Sequence, residues 1–378
     1  MKIICIGPTA PYKGGISHYN TLLCNNLRKR HDVELISWKR RYPKIFYPAE
    51  QLDEQSKKKI SSDAMFLLDC LNPITWIKAF LVIKKKGPNL IIFHWVSPFH
   101  APIFAFICFL TKYFTKTKIL LICHNVFPHE RSLFDKILTK SVFYNSDFFM
   151  VHSKEDLRNL KRLKNNAKSK LGFHATYSIF DIEKYDISKL KKNMGLRNRV
   201  ILFFGFVRQY KGLRYLIESM PLILRELQLD LLIVGEFWDS KEEYINMINS
   251  RGIQNYVKII DKYVPNEDIG KYFSVSDLVV LPYLSATQSG VIQIAFGMGK
   301  PVVTTNVGGL SEVVASGKTG YVVKSKDSKE IAYSVIDFYK NNRTDFFASN
   351  ISKEVKNFSW SKYVQLIESL VAGGNDLK

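Results

Sequence analysis

Short runs of β-branched and aromatic residues alternate with helical periodicity along this chain, and the alternation occurs twice. The first series has runs near 2–7, 33–37, 90–93, 119–123, 148–151 and 171–174. The second has runs near 200–204, 229–235, 256–260, 277–281 and 301–304. Each run suits one buried strand, and strands that alternate with helices form parallel sheets with helices on both faces. The pattern therefore predicts an α/β fold with two parallel sheets.

The stretch 175–199 interrupts this alternation with short polar and charged pieces, which predicts a link between two domains. At 378 residues the chain is also long for a single hydrophobic core. We expect a first domain over 1–184 and a second over 185–356.

The cysteines and the apolar runs indicate a cytosolic protein. The five cysteines have no CxxC spacing, and several fall inside apolar runs, which is typical of reduced core residues. The N-terminus has no signal-peptide pattern, and no run reaches the roughly 18 apolar residues of a membrane span.

Positive charge is concentrated in the first half of the chain. Residues 1–190 contain 31 Lys and Arg against 15 Asp and Glu, whereas residues 191–378 contain 24 against 19. This asymmetry predicts an anionic partner, either a membrane surface or a nucleic acid. The segments 74–86 and 99–118 combine aromatic apolar runs with lysines, which favours a membrane surface over buried helices with solvated ends. The residues predicted to contact it are Trp76, Phe104, Phe106, Lys84, Lys85 and Lys86.

Two cations follow the first strand of the second series. Arg208 and Lys211 lie between the run 200–204 and a helical stretch, at the sheet edge where doubly wound folds bind ligands. A guanidinium can bind a phosphate bidentately, and a nearby lysine adds a compact charge. The pair suits a diphosphate, although a solvated loop is the alternative.

Three glycine-containing loops lead directly into helices, where free backbone N–H groups favour an anion. The first contains Gly14 and Gly15, the second Gly290, and the third Gly308 and Gly309. Each could be a simple turn. The first loop lacks the GxGxxG spacing, which argues against NAD.

Two histidines, His94 and His124, follow directly after apolar runs and so lie at strand ends. His94 is flanked by Trp95, which favours a hydrogen-bonded core residue. His124, in LICHNVFPHE, is the better candidate for a functional site.

The second half resembles the group 1 glycosyltransferases, which are retaining enzymes with the GT-B fold of two Rossmann-like domains facing across a cleft. The motifs GFVRQYKGLRYLIES, LLIVGE, SDLVVLPY, GKPVVTTNVGGLSEVV and GKTGYVV follow the family's order and spacing. The resemblance extends more weakly to PYKGGISHY and LICHN. It also implies that the last segment, 357–378, forms a helix that returns to the first domain.

The resemblance implies that Arg208 and Lys211 bind the diphosphate of a nucleotide-sugar donor. It places Gly15 near the phosphates or the donor sugar, and His124 facing that sugar. The family's pair of glutamates is missing, because those positions hold Ala286, or Thr287 in a second alignment, and Ile294. The remaining predicted substrate-binding residues are Gly14, Asn125, Gly205, Thr287, Gln288, Ser289, Gly290, Val291, Gln293, Gly308 and Gly309.

The resemblance implies transfer of a hexose from a nucleotide sugar to a lipid-linked or other membrane-associated acceptor. Such an enzyme would need no cofactor besides its donor. The absence of a DxD motif fits charge neutralisation by Arg and Lys in place of a metal. We expect it to be cytoplasmic and peripheral at the inner face of the cell membrane. Two alternatives are a DNA-modifying glucosyltransferase, although nucleic acid is the less favoured partner, and a catalytically silent nucleotide-sugar-binding subunit.

Overall fold

The computed structural model describes residues 1–43, 45, 51–57, 62–127, 133–177, 185–197 and 199–373. The chain forms two compact units. The first contains Met1–Phe173 and the residues from Trp360 onward, and the second contains His174–Ser359. The first boundary therefore falls after Phe173 instead of at residue 184, and the C-terminal return begins at Trp360 instead of 357.

The described residues of the first unit contain one parallel sheet of seven strands. The strands are β1 (Lys2–Ile6), β2 (Asp32–Arg40), β3 (Ala64–Asp69), β4 (Leu90–Trp95), β5 (Lys118–Cys123), β6 (Phe148–Val151) and β7 (Lys168–Leu171). They are arranged in the order β3-β2-β1-β4-β5-β6-β7. The sequence pattern missed β3, and β7 ends three residues before the position that we predicted.

Helices cover this first sheet. They are α1 (Gly15–Leu27), α2 (Pro73–Lys86), α3 (Ala101–Phe114), α4 (Leu133–Tyr144) and α5 (Lys154–Leu163). Every residue of β4 is buried, as a strand covered on both faces requires. Local signals fix the ends of α2, because the Asn72 side chain accepts a hydrogen bond from the backbone of Ile74 and Gly87 ends the helix with φ +56°.

The second unit contains a parallel sheet of six strands within its described residues. The strands are β8 (Arg199–Phe204), β9 (Leu229–Val234), β10 (Val257–Ile260), β11 (Leu278–Leu281), β12 (Val302–Thr305) and β13 (Gly320–Val323). They are arranged in the order β10-β9-β8-β11-β12-β13. Both sheets have the strand order of a Rossmann-like domain, which confirms the predicted fold class.

Eight described helices belong to this second unit. They are α6 (Ile187–Asn193), α7 (Leu213–Glu226), α8 (Lys241–Ser250), α9 (Asn266–Ser274), α10 (Gly290–Gly297), α11 (Leu310–Val313), α12 (Ser328–Lys340) and α13 (Thr344–Glu354). The helix α6 lies within the stretch that we predicted as a link. The core includes Ile201 and Phe203 of β8, which pack with Leu216 and Ile217 of α7.

The last helix, α14 (Trp360–Ala372), packs against α1, the edge strand β7 and its neighbour β6. Tyr363, Val364, Ile367 and Leu370 are buried at helical spacing. A Cβ atom on Gly172 would lie 3.0 Å from the Tyr363 ring, so β7 continues into a tight contact with this helix. The C-terminal helix is thus part of the first unit.

We expect Ile367→Ala to destabilise the first unit by about 2–5 kcal/mol, because Ile367 is fully buried and its truncation leaves a cavity. Chemical denaturation measures the loss of stability. Hydrogen exchange of the native variant locates it, and we expect exchange to become faster in β6 and β7 than in β8 to β13. The matched control is Gln365→Ala, at an exposed position of the same helix, which should change stability by less than about 0.5 kcal/mol. Equal loss in both variants, or loss confined to the second unit, would contradict this account.

Candidate functional site

The loops that follow β8 and β11 come together at the carboxyl edge of the second sheet. These two strands are neighbours although β9 and β10 lie between them in sequence, so this is the topological switch point where such folds bind ligands. The backbone N–H of Leu284 donates to the Tyr210 carbonyl over 2.7 Å. Gly212 has φ +68°, and a Cβ atom there would overlap the Pro282 carbonyl oxygen. The contact between the loops therefore requires glycine at this position.

Lys211 points its ammonium group into this junction. Its Nζ lies 5.2 Å from the centroid of the Tyr283 ring. A Cβ atom on Gly205 would lie 3.1 Å from Nζ and 3.7 Å from Cγ2 of Val291. Burial lowers the pKa of Lys211, Tyr210 opposes that effect and Arg208 adds to it. Three predicted residues, Gly205, Lys211 and Val291, are thus adjacent.

Arg208 lies on the other side of the same loop. Its guanidinium carbon is 4.3 Å from the centroid of the Trp238 ring, a cation–π distance. Within the described part of the chain, neither Arg208 nor Lys211 forms an ion pair with a carboxylate. Burial raises the pKa of Asp239, while its hydrogen bond from Tyr244 and the charge of Arg208 oppose that rise.

The loops before α10 and α11 lie against each other. Gly309 donates from its backbone to the Thr287 carbonyl over 3.0 Å, and Nε2 of Gln288 lies 3.4 Å from the Gly309 carbonyl. Gly308 has φ +51°, and a Cβ atom on it would overlap the Ala286 carbonyl oxygen. These four predicted residues, Thr287, Gln288, Gly308 and Gly309, therefore form one structural unit.

The helix α10 begins at Gly290, directly after Ser289. Its first backbone N–H groups have no partner within the helix, as at any helix N-terminus. Ser289 is buried, and its hydroxyl lies beside Tyr283. Burial raises the pKa of Tyr283 to about 12, and the hydroxyl of Ser289 opposes this rise. Ile294, in the place of one family glutamate, is buried in this helix.

The structure corrects the prediction for Gln293 of α10, and it places Gly290 of the same helix beside two aromatic rings. Gln293 was predicted to contact hydroxyl groups of a ligand, but its side chain is fully buried and its Oε1 lies 3.2 Å from Oγ1 of Thr176. A Cβ atom on Gly290 would lie 3.6 Å from the Tyr177 ring and 3.8 Å from Nε2 of His174. A larger side chain at Gly290 would therefore first meet these two rings.

In the first unit, three histidines lie at the carboxyl ends of adjacent strands. His94 is the penultimate residue of β4, His124 follows β5 and His152 follows β6. Nδ1 of His94 lies 3.0 Å from Nε2 of His124, while Nε2 of His152 lies 2.9 Å from the Tyr363 hydroxyl and 3.3 Å from that of Tyr19. His94 is buried and hydrogen-bonded, as its sequence context indicated.

The loop before α1 leaves open space beside the helix N-terminus. A Cβ atom on Gly14 or Gly15 would meet no described atom within 4 Å. Near His124, the buried Oδ1 of Asn125 has no hydrogen-bond partner among the described residues. These three predicted residues belong to the first unit and could accept a ligand at its sheet edge.

Several residues of both sites were missed by the sequence analysis. They are Tyr19, His152, Tyr363, Trp238 and Tyr283. His152 follows the run 148–151 just as His124 follows its own run, so the strand-end rule could have found it. The aromatic residues gave no such signal, because they come from other loops and helices.

The predicted membrane residues also need correction. Phe104 is buried, and Trp76 and Phe106 are partly buried against the core. The exposed apolar residues of α2, α3 and α4 lie elsewhere, and with the nearby lysines we name them the apolar-lysine face. Its members are Ile74, Ile77, Leu81, Phe109, Tyr113, Phe114, Ile137, Tyr144, Lys78, Lys84, Lys85, Lys112 and Lys140.

On α2, Ile74, Ile77 and Leu81 share one solvent-facing stripe, being 61%, 46% and 54% exposed. The three helices are adjacent, with α3 packed between α2 and α4. Lys86 is paired with Glu34 at 2.9 Å and is therefore not included in the face. The sequence has no acidic residue from Cys70 to His129, so the α2 and α3 parts of this face carry lysines without acids from the same segment, whereas α4 contains Asp135.

Two further features concern metals and membranes. In the described ranges, no three His, Cys, Asp or Glu side chains lie close enough together to hold a metal ion. None of the described helices is both long and apolar enough to cross a bilayer.

Comparison with known proteins identifies the second domain. Residues 198–341 match the family model described as Glycosyl transferases group 1. This range contains the loops with Arg208, Lys211, Gly290 and Gly308. The resemblance seen in the sequence is thereby confirmed, and the chain carries a group 1 glycosyltransferase domain.

Curated relatives agree with this assignment. An uncharacterized glycosyltransferase of Methanocaldococcus jannaschii is 28% identical over 174 residues, which are 45% of this chain and 44% of that protein. A D-inositol 3-phosphate glycosyltransferase of Corynebacterium efficiens is 24% identical over 248 residues, 62% of this chain and 58% of that protein. The chain thus spans about half the length of the curated relatives it matches.

Solved structures match over nearly the full chain and show the GT-B fold. Sucrose-phosphate synthase from Thermosynechococcus elongatus has a TM-score of 0.75 at 18% identity, covering 99% of this chain and 100% of that one. Anabaena HepE in complex with UDP-glucose also has a TM-score of 0.75 at 18% identity, covering 98% and 99%.

We expect Lys211→Met to abolish stabilisation by inorganic diphosphate without destabilising the ligand-free protein. Burial disfavours the charged form of Lys211, so removing the charge should leave the unfolding free energy unchanged or higher near pH 7. The pKa of Lys211 is lower in the folded than in the unfolded protein. Any gain in unfolding free energy should therefore shrink as the pH rises from the folded-state pKa to the unfolded value of about 10.4. Thermal denaturation with and without diphosphate at constant ionic strength measures both effects.

The matched control is Arg225→Met, at an exposed position of α7. It removes the same charge from the second domain and should retain the response to diphosphate. Loss of the response in both variants would mean that net charge, and not this site, determines binding. A Lys211→Met protein that still responds as wild type does would contradict the assignment of Lys211.

Proposed function

We propose that this protein is a retaining glycosyltransferase that moves a hexose from a nucleoside diphosphate sugar to a lipid-linked or other membrane-associated acceptor. The observation that carries this proposal is the junction of Arg208, Lys211 and the N-terminus of α10 at the switch point of the second sheet. Two cations without ion-pair partners among the described residues, beside free helix N–H groups, suit a diphosphate. The donor-bound relative HepE has the same fold.

In this proposal, Arg208 and Lys211 stabilise the leaving nucleoside diphosphate. Negative charge grows on the β-phosphate as the bond to the sugar breaks, and preformed positive charges in a partly buried site stabilise it. Protein side chains supply this charge, so the proposed reaction needs no divalent metal. Gly205 keeps space beside the Lys211 ammonium, because a Cβ atom there would lie within 3.1 Å of Nζ.

The missing glutamates shape the proposed mechanism. Ala286 and Ile294 are apolar and buried, so these positions supply no carboxylate nucleophile. We therefore favour transfer on one face of the sugar, with a diphosphate oxygen helping to deprotonate the acceptor hydroxyl. His124 is proposed to face the donor sugar and Gly15 to lie near the phosphates or the sugar. Neutral groups of the loop before α10, such as Thr287 and Gln288, would contact hydroxyl groups.

The acceptor is proposed from the apolar-lysine face. Exposed aliphatic and aromatic side chains beside lysines are the composition of an interfacial membrane contact, because apolar groups insert while lysines attract anionic headgroups. We place the enzyme peripherally at the inner face of the cell membrane on this basis. The names of relatives range from inositol phosphate to malate as acceptors, so names alone favour no acceptor class.

Two rivals make different predictions. A DNA-modifying glucosyltransferase would use the basic first half of the chain to bind duplex DNA. Measuring retention on DNA and pelleting with anionic liposomes at the same salt concentration separates this rival from the membrane proposal. The exposed apolar side chains among the lysines favour the membrane. A silent nucleotide-sugar-binding subunit would bind donor without turnover, so hydrolysis or transfer by the purified chain decides that rival.

We expect one nucleotide sugar to be both a stabilising ligand and a substrate. A thermal-shift panel of UDP-, GDP- and other nucleotide sugars identifies it, because a ligand at 100 times its Kd adds about 2.7 kcal/mol of stability. Transfer to a lipid-linked acceptor then follows by product analysis, with the anomeric configuration retained. Turnover should survive EDTA. Loss of turnover in EDTA, restored by magnesium, or an inverted product would overturn the corresponding part of the proposal.

With the same donor, Arg208→Ala should reduce kcat/KM by about tenfold to more than a hundredfold, since a hydrogen bond to a charged group contributes about 1.5–3 kcal/mol. Arg208→Lys should also be impaired, because an ammonium cannot make the bidentate contact. The exposed Arg225→Met is again the control. Wild-type rates in both Arg208 variants would refute the assignment of Arg208 to the diphosphate.

Binding to anionic liposomes should fall with salt and depend on the apolar-lysine face. Each lysine near an anionic surface contributes about 1 kcal/mol, so the triple change of Lys84, Lys85 and Lys112 to Gln should weaken partitioning about a hundredfold. Ile77→Ser with Leu81→Ser should weaken binding even at high salt, because it removes apolar contact.

The control changes three exposed lysines of the second domain, Lys318, Lys324 and Lys329, to Gln. It alters net charge equally and should bind liposomes as wild type does. Equal release of both triple variants would indicate a general charge effect. A dimer that dissociates in the Ile77 and Leu81 variant, without any liposome binding by wild type, would instead assign this face to a second copy.

A further inference from the structure

His94 and His124 form a direct imidazole pair in the first domain. They lie at the ends of the adjacent strands β4 and β5, with Nδ1 of His94 3.0 Å from Nε2 of His124. The ring planes are 23° apart and the ring centroids 5.3 Å apart. At this distance one hydrogen atom lies between the two nitrogens. If His94 donates this hydrogen, the other nitrogen of His124 is a hydrogen-bond donor. If His124 donates it, the other nitrogen of His124 is an acceptor.

His94 is neutral in this pair. It is buried, and burial lowers its pKa to about 3. The aromatic ring of Tyr19 lies edge-on to it at 5.8 Å, and a Cβ atom on Gly7 would lie 3.2 Å from His94, so this side of the ring is closely packed. A neutral imidazole carries one hydrogen, on either Nδ1 or Nε2.

The burial of Nε2 of His94 decides between these two tautomers. This atom is buried and has no hydrogen-bond partner among the described residues. If Nδ1 of His94 accepted a hydrogen bond from His124, the single hydrogen of His94 would lie on Nε2. Nε2 would then be a buried N–H group without a partner among the described residues. Unpaired buried N–H groups are rarer in proteins than unpaired acceptors. The favoured arrangement leaves Nε2 bare and places the hydrogen on Nδ1.

We propose that His94 is a positioning residue, which donates from Nδ1 to Nε2 of His124 and thereby places the hydrogen of His124 on its Nδ1. His124 is then a neutral N–H donor through Nδ1 and not a base through Nε2. A hydroxyl oxygen of the donor sugar is the chemical group that such a donor recognises. This inference rests on the proposed function for the role of His124, but the tautomer itself does not.

The third histidine does not share this role. Nε2 of His152 faces the hydroxyls of Tyr363 and Tyr19. The centroid of the His152 ring is 5.7 Å from the centroid of the His124 ring. Tyr19 contacts all three imidazoles edge-on, and the buried Tyr363 lies behind it. His152 therefore helps to fix Tyr19, and the nitrogen contact with His124 described above is made by His94.

The test is imidazole NMR of the full chain with ¹⁵N-labelled histidine. Long-range proton–nitrogen correlations distinguish the two tautomers, and His124→Gln assigns the resonances of His124. We expect the hydrogen on Nδ1 of His124 in the wild type. His94→Asn keeps an amide donor near the place of Nδ1 and should preserve this tautomer, whereas His94→Leu removes the donor and should give a mixture.

A wild-type spectrum with the hydrogen on Nε2 of His124 would overturn the proposal, even if no variant folds. An unchanged tautomer in a folded His94→Leu protein would do the same. If the protein transfers sugar, His94→Leu should lower kcat about two- to twelvefold, the range of one neutral hydrogen bond, with rescue by His94→Asn. Affinity for the nucleoside diphosphate alone should not change. Absence of turnover in wild type would refute the proposed function and leave the NMR result decisive for the pair.

Discussion

Each domain depends on parallel pairing between its first strand and a strand that arrives three connections later. Ile3 of β1 pairs with Leu90 of β4, and Ile201 of β8 pairs with Leu278 of β11. At these two pairs the strand order reverses, so the following loops leave the sheet edge in opposite directions and make room for a ligand. Both candidate sites use this geometry: His94 lies at the end of β4 and His124 follows β5, while Arg208 and Lys211 follow β8.

Close backbone approach then determines how precisely the second site is held. Gly212 and Gly308 have positive φ angles and lie against carbonyl oxygens of the neighbouring loop. Side chains at these positions would push the loops apart, so the glycines are needed for contact as well as for conformation. The loops in turn hold Lys211 partly buried without a described ion-pair partner, which disfavours its charged form. Binding of an anion would relieve this electrostatic cost.

The strand alternation predicted most of the fold because fully buried parallel strands are continuous apolar runs. The analysis missed β3 and β13, which are edge strands of mixed burial, although their sequences AMFLLD and GYVV are largely apolar. Arg208 and Lys211 were found because one loop contains both. Tyr283 and Trp238 were not, since only the folded chain brings their loops to Lys211 and Arg208. Gln293 was placed wrongly because the side of α10 that it occupies depends on packing against residues 174–177, which spacing does not reveal.

The distribution of charge at the second site supports the proposal that it binds an anion. A carboxylate near Lys211 would compete with a bound diphosphate, and the positions of the two family glutamates hold apolar Ala286 and Ile294. Asp239 lies close enough to Arg208 for their charges to interact, and burial raises the pKa of Asp239 while Arg208 opposes that rise. The cation–π contact with Trp238 holds Arg208 in place without pairing it directly with a carboxylate. Positive potential therefore remains at the switch point, where the N-terminal amides of α10 add to it.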